Sequence, residues 1–325
     1  MSHLRAGGQS PLRCGETRRR GAAAACPWGD THMARRLRAA LVAAVLAAPG
    51  AALWAGRLQQ RGLLRFPLFA APLSEAGYVA LGSRPGWSPR LLEVAPGVRV
   101  RGLVHPPRAP GLPTVLFFSG NADAQLSQGQ QFLEALGGAE GYGLAVFAYR
   151  GYDGSEGTPT PEALRADGAR VYAALREGAW AGAGPLHVVG FSLGTGVASA
   201  VAADVAPPPA SLTLLAPYTE LVVVRPSPLA RLLPGDRYDA RPALARVLSP
   251  ALVVHGDADA SLPVQMGRAV HAALGPTARY LELPGAGHVA LLSDPRALQA
   301  VRDFIGEAHV KARAGARTRA AAASP

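Results

Sequence analysis

Runs of five to seven mostly apolar residues recur through the middle of this chain, and their spacing leaves few folds open to it. Thr114–Phe118 (TVLFF), Gly143–Tyr149 (GLAVFAY), Pro185–Gly190 (PLHVVG), Leu212–Ala216 (LTLLA) and Ala251–His255 (ALVVH) are too short for helices and nearly free of polar side chains. Such runs fit strands buried on both faces, which means a parallel sheet covered by helices. Two more segments fit the same sheet less deeply. Val98–His105 (VRVRGLVH) alternates, as a strand with one wet face does, and Arg279–Leu283 (RYLEL) ends the series. Helix-period stretches lie between them: Gln128–Leu136, Pro161–Glu177, Leu193–Val205, Pro263–Leu274 and Asp294–His309. Pro161 and Pro263 stand where a first-turn proline is tolerated. The alternation predicts an α/β fold with a mostly parallel central sheet and helices on both faces, joined by right-handed crossovers. A functional site is then expected beyond the carboxyl ends of the strands.

The two ends follow a different pattern. The chain carries a formal net charge of +11, which taken alone suggests nucleic acid or an anionic membrane. Residues 1–65 hold 11 arginines against Glu16 and Asp30, residues 66–305 hold 18 arginines against 19 acidic residues, and residues 306–325 hold four basic residues against Glu307. The basicity therefore flanks a near-neutral body, and no nucleic-acid partner is expected. Residues 1–32 read as a disordered basic extension containing both cysteines, Cys14 and Cys26, so the body has no disulfide framework. Residues 33–57 read as a signal anchor or signal peptide. Met33 is followed by Arg35, Arg36 and Arg38, and residues 39–56 then contain no charge. As a helix that segment would be about 27 Å long, close to the thickness of a bilayer core. As a single N-terminal anchor it makes the membrane a partner, and Arg18, Arg19 and Arg20 favour an inside N-terminus with the following domain exported. Cleaved, it would yield a secreted or periplasmic protein. Residues 306–325 read as a disordered basic tail, which leaves 66–305 as the folded domain.

The chemistry centres on Gly190-Phe191-Ser192-Leu193-Gly194, which follows an apolar strand and opens a helix. That context makes Ser192 a candidate nucleophile on a tight strand-to-helix turn, with the helix N-terminus favouring developing negative charge. A serine hydroxyl needs a base and an orienting acid. Downstream, ALVVH runs into a loop carrying Asp257 and Asp259, and RYLEL runs into a Gly-rich loop ending at His288. His288 is the candidate base and either aspartate the candidate acid. His187 and His255 lie inside strands and His271 and His309 on helices, so none of these is expected to act. After TVLFF, the loop Ser119-Gly120-Asn121-Ala122 offers a backbone N–H from Asn121 or Ala122, which with that of Leu193 would form an oxyanion hole. Ala122 and Tyr152, both at strand ends, are candidates for substrate contact. Arg150 is expected to form a structural ion pair. No His or Cys grouping has metal-ligand spacing, and no cofactor is expected.

Taken together, over about residues 66–305, these stretches resemble the α/β-hydrolase superfamily, and within it the compact, often membrane-anchored serine hydrolases of depalmitoylase-like and dienelactone-hydrolase-like type. The family's His-Gly-Asn-Ala oxyanion loop is here Ser119-Gly120-Asn121-Ala122, with serine replacing histidine. Its Tyr-Arg-Gly-Tyr stretch is Tyr149-Arg150-Gly151-Tyr152, and its Ser-Pro-Phe-Thr is Ala216-Pro217-Tyr218-Thr219. Its His-Gly-x-x-Asp motif is His255-Gly256-Asp257-Ala258-Asp259, and Gly285-Ala286-Gly287-His288 completes the set. The resemblance implies Asp259 as the acid and a Ser192–His288–Asp259 triad that cleaves an ester or thioester through an acyl-enzyme. A peptidase or acyltransferase on the same triad, and a non-catalytic binding protein of the same fold, are the alternatives. The 32 residues from Thr219 to Pro250 leave room only for a short cap. An open site near a membrane favours a small-molecule or lipid ester substrate.

Overall fold

The computed structural model describes residues 73–322 apart from 123, 179, 181, 183 and 223–236. The expected basic extension and the expected anchor at 33–57 lie outside the described residues. Among the described residues no helix is long and apolar enough to cross a membrane.

The chain enters through α1 (Glu75–Gly82), whose first turn is capped by Ser74 Oγ accepting from Gly77 N–H, and passes into β1 (Ser88–Ala95) and β2 (Val98–His105). Then come β3 (Thr114–Phe118), α2 (Gln125–Leu133) with a π-turn at Glu134–Gly138, β4 (Gly143–Phe147) and α3 (Pro161–Glu177). The centre of the fold is β5 (Leu186–Phe191) and α4 (Leu193–Asp204), followed by β6 (Ser211–Leu215). The expected cap stretch supplies β7 (Glu220–Val222), β8 (Arg237–Asp239) and the short α5 (Arg241–Leu244). The remainder is β9 (Ala251–Gly256), α6 (Val264–Leu274), β10 (Arg279–Leu283) and α7 (Pro295–Ala322).

Eight strands form one sheet in the order β1-β2-β4-β3-β5-β6-β9-β10, while β7 and β8 pair separately. From β4 to β10 all neighbours run parallel, and β2 pairs antiparallel with both β1 and β4. Every residue of β3, β4, β5, β6 and β9 is buried. Burial on both faces is the reason these segments carry no hydrophobic alternation. Thr160, Pro161 and the amphipathic run behind them start α3 as expected, with Thr160 Oγ1 accepting from Ala163 N–H at 3.2 Å.

Two expectations shift. Helix α2 starts at Gln125, three residues before the expected start. The Gln125 side chain donates to Gly120 O at 3.0 Å and accepts from Tyr149 N–H at 2.9 Å, which fixes the first turn beneath the strand ends. The tail expected to be disordered from residue 306 instead continues α7 to Ala322. Ile305 and Ala308 are buried against the body, and the alanine- and arginine-rich sequence beyond them has high helix propensity, so the docked turns propagate.

Candidate active site

Strand β5 delivers Ser192 to the carboxyl edge of the sheet. Its backbone there has φ +51° and ψ −118°, a conformation that costs a non-glycine residue energy and turns the side chain out of the strand path. The turn is held by Ser192 N–H donating to Leu215 O at 3.0 Å, and by the N–H and hydroxyl of Thr195 donating to Ser192 O at 3.0 and 2.7 Å. Small residues are required on either side. A Cβ at Gly190 would meet Gly194 O at 2.5 Å, and one at Gly194 would meet Phe118 O at 2.0 Å. The close approach at Gly194 lets α4 start against the end of β3, so the loop after β3 and the turn at Ser192 abut. From a Cβ placed on Gly120, Ser192 Cβ would be only 3.4 Å away.

His288 reaches the same place from the loop after β10. Its Nε2 lies 3.0 Å from Ser192 Oγ and its Nδ1 lies 2.7 Å from Asp259 Oδ2. The ring packs on Phe191, with centroids 4.9 Å apart, which orients it. Asp259 belongs to the turn after β9, and its side chain is fully buried. Oδ1 accepts from Ser261 N–H and Leu262 N–H, each at 2.8 Å. Burial pushes the Asp259 carboxyl up. Hydrogen bonds from His255, His288 and Leu262 outweigh that and hold it well below the usual carboxylate range, so it is ionised at neutral pH. The other aspartate goes elsewhere: Asp257 accepts from Gly285 N–H at 2.6 Å and braces the Gly-rich loop.

The expected oxyanion groups lie on the two segments that meet at Ser192. Leu193 is the first residue of α4, where a backbone N–H has no acceptor within the helix. Asn121 and the exposed Ala122 follow Gly120 in the loop beside it. Tyr152, a candidate for substrate contact, has a buried ring whose hydroxyl donates to Asn121 Oδ1 at 2.5 Å, which ties it to the loop carrying the expected oxyanion group. Ser119, at the family's histidine position, is also buried. Its carbonyl accepts from Tyr149 Oη at 2.9 Å, and its hydroxyl has no hydrogen-bond partner among the described residues. Arg150 forms the expected structural pair, with Nε 2.6 Å from Asp167 Oδ2 and a second contact from Nη2 to Oδ1. His255, set aside in the sequence as a histidine inside a strand, proves to lie against Asp259, its Nε2 3.4 Å from Oδ2. Only its place at the head of the His-Gly-x-x-Asp motif signalled it. No group of three or more His, Cys, Asp or Glu fit to hold a metal occurs among the described residues.

Comparison with known proteins follows the same lines. Residues 234–316 match the family model described as TAP-like protein. The chain is 34% identical over 260 residues to the uncharacterized protein Rv2307c of Mycobacterium tuberculosis, covering 78% of this chain and 89% of that protein. It is 27% identical over 179 residues to the lysophosphatidylserine lipase ABHD12 of Danio rerio, covering 49% of this chain and 46% of the relative. Among solved structures, the esterase Pf2001 of Pyrococcus furiosus superposes with a TM-score of 0.58 at 15% identity, covering 75% of this chain and 97% of that one. An esterase of Thermogutta terrifontis in its propionate-bound form gives 0.56 at 18%, covering 69% and 95%. These structures share the fold. With its mostly parallel sheet, its TAP-like match and these relatives and structural neighbours, the chain belongs to the α/β-hydrolase superfamily and is an enzyme of the serine-hydrolase type.

Proposed function

We propose that the protein hydrolyses carboxylic esters or thioesters through an acyl-enzyme on Ser192. The observation that carries this reading is the unbroken hydrogen-bonded line from Ser192 Oγ to His288 at 3.0 Å and from His288 to Asp259 at 2.7 Å. In the proposed reaction Ser192 Oγ attacks the acyl carbon as its proton passes to His288 Nε2. Asp259 stabilises the resulting imidazolium, and the N–H groups of Asn121 and Leu193 receive the oxyanion. The imidazolium then protonates the leaving alcohol or thiol. In the second half His288 takes a proton from water, hydroxide adds to the acyl carbon, and Ser192 leaves with the proton returned to it. Ser192→Ala should abolish both turnover of p-nitrophenyl butyrate and labelling by a fluorophosphonate. Undiminished turnover in that variant would refute the reading.

The substrate class is proposed to be single-acyl lipids or acylated molecules at a membrane. Support comes from the named activity of the lysophosphatidylserine lipase relatives, of which this chain spans about half the length. It also comes from the uncharged stretch 39–56 in the sequence, read as an anchor with the domain beginning near residue 66 on the exported side. For the full chain, kcat/KM on p-nitrophenyl esters is expected to rise from acetyl to dodecanoyl chains. Rates independent of acyl length would remove the lipid assignment while leaving the esterase one.

A further inference from the structure

Asp259 is flanked by two imidazoles, and the proposed mechanism uses only one. His255, the fifth residue of β9, is completely buried. Its Nε2 lies 3.0 Å from Leu262 O and 3.4 Å from Asp259 Oδ2. A carbonyl oxygen and an ionised carboxylate can only accept, so Nε2 must carry the proton and donate to both. On the other side of the ring, Nδ1 is buried without a hydrogen-bond partner among the described residues. It faces α6 at Gly267, where a Cβ would come within 2.4 Å of it. A proton placed on Nδ1 would have no acceptor there, so the geometry seats the ring's proton on Nε2. The glycine makes room for it.

The consequence falls on the turn at 259–262. Leu262 is gripped at both ends of its peptide groups: its N–H donates to Asp259 Oδ1 at 2.8 Å, and its C=O accepts from His255. Ser261 N–H takes the same Oδ1 at 2.8 Å. Oδ2 is shared by His288 at 2.7 Å and His255 at 3.4 Å. With Oδ1 fastened to the turn and the turn fastened to the strand by His255, the carboxylate cannot rotate about its Cβ–Cγ bond. We infer that His255 is a positioning residue for the acid: it fixes the Asp259 turn through Leu262 and directs Oδ2 to His288. The inference rests on the Ser192–His288–Asp259 reading above and extends it by one residue. The ion balance supports the geometry, because the second N–H helps keep the buried carboxylate charged.

The test compares two variants of the full chain. His255→Phe keeps a planar ring and removes the donor. His255→Gln restores a side-chain N–H at similar reach. On p-nitrophenyl butyrate the Phe variant should lose about 10- to 100-fold in kcat with KM changed less than about twofold, as expected for a misplaced catalytic group rather than lost binding. The Gln variant should recover most of that loss. Wild-type kcat in the Phe variant would overturn the inference, and so would a Gln variant that falls as far as Phe. Should the Phe variant not fold, histidine ¹⁵N spectra of the wild-type protein decide, with the His255 signals assigned by their loss in the Gln variant. A protonated Nε2 and bare Nδ1 at the pH of turnover are required, and a protonated Nδ1 would overturn the inference. Failure of the underlying reading looks different: wild-type protein would not be labelled by fluorophosphonate at Ser192. A labelled wild type beside a Phe variant labelled at the same rate removes only the role of His255.

Discussion

Histidines illustrate how far a side chain's position in sequence determines its chemistry. His288 stands beyond the carboxyl ends of the strands with its side chain partly exposed, whereas His187 is fully buried near the start of β5, its Nδ1 2.8 Å from Ser211 Oγ. Burial, with the nearby His309 ring adding to it, pushes the His187 imidazole down to about 3. An unfolded chain would bind a proton at this residue near pH 6.5, whereas the folded one refuses it. Its share of stability is therefore complete above pH 6.5 and is lost progressively as pH falls towards 3. The urea midpoint should decline between pH 6.5 and 4, and His187→Gln should flatten that decline; an equal slope in both proteins would contradict this. Ser192 and His288 were readable in the sequence because each sits one or a few residues past an apolar run, where the fold puts its reactive groups. The contacts of Tyr152 and His255 are not readable there, because their partners Asn121 and Leu262 meet them only once separate loops have packed.

Among elements, α4 is the one on which the site depends. It is buried along almost its whole length and starts against the carbonyl of Phe118 with no room for a methyl group at Gly194. Gly194→Ala would place a Cβ 2.0 Å from that oxygen and 2.6 Å from Ser119 O, both of them backbone atoms that cannot swing away. The helix or the oxyanion loop must move. A loss of about 1–3 kcal/mol in urea unfolding is expected, together with a fall in kcat that exceeds any change in KM. A variant with unaltered kcat and stability would show that the contact yields freely. The buried parallel strands were read from sequence to within two residues, since burial on both faces leaves an uninterrupted apolar signal. Strand β1 carries no such signal. Ser88–Ala95 contains Pro89, Arg90 and Glu93, and as the outermost antiparallel strand it keeps Leu91 more than half exposed, so nothing local marks it. Its pairing from Ser88–Val104 to Ala95–Val98 depends on β2 being present. The far end of helix α7 is hidden for the complementary reason: a charged, alanine-rich stretch reads as solvated whether or not a docked helix lies before it.

For the molecule as a whole, the sheet order separates what the chain keeps adjacent. Strand β5 lies near the middle of the sheet, β9 and β10 close one edge, and the loops after these strands supply Ser192, Asp259 and His288. The hydrogen bond between Ser192 and His288 spans 96 residues of sequence. Contacts of that range form late, since the entropy of closing the intervening chain must be overcome before they stabilise anything. During refolding from urea, reactivity of Ser192 towards fluorophosphonate should therefore return with the slowest phase seen by far-UV circular dichroism. Labelling that recovered in an earlier phase would place the site in a folding intermediate. The strained turn at Ser192 thus has a temporal meaning as well as a chemical one. On the proposed mechanism, a nascent chain that has emerged through β5 would hold Ser192 without His288, and the hydroxyl would stay unreactive until the last strand, β10, has joined the sheet.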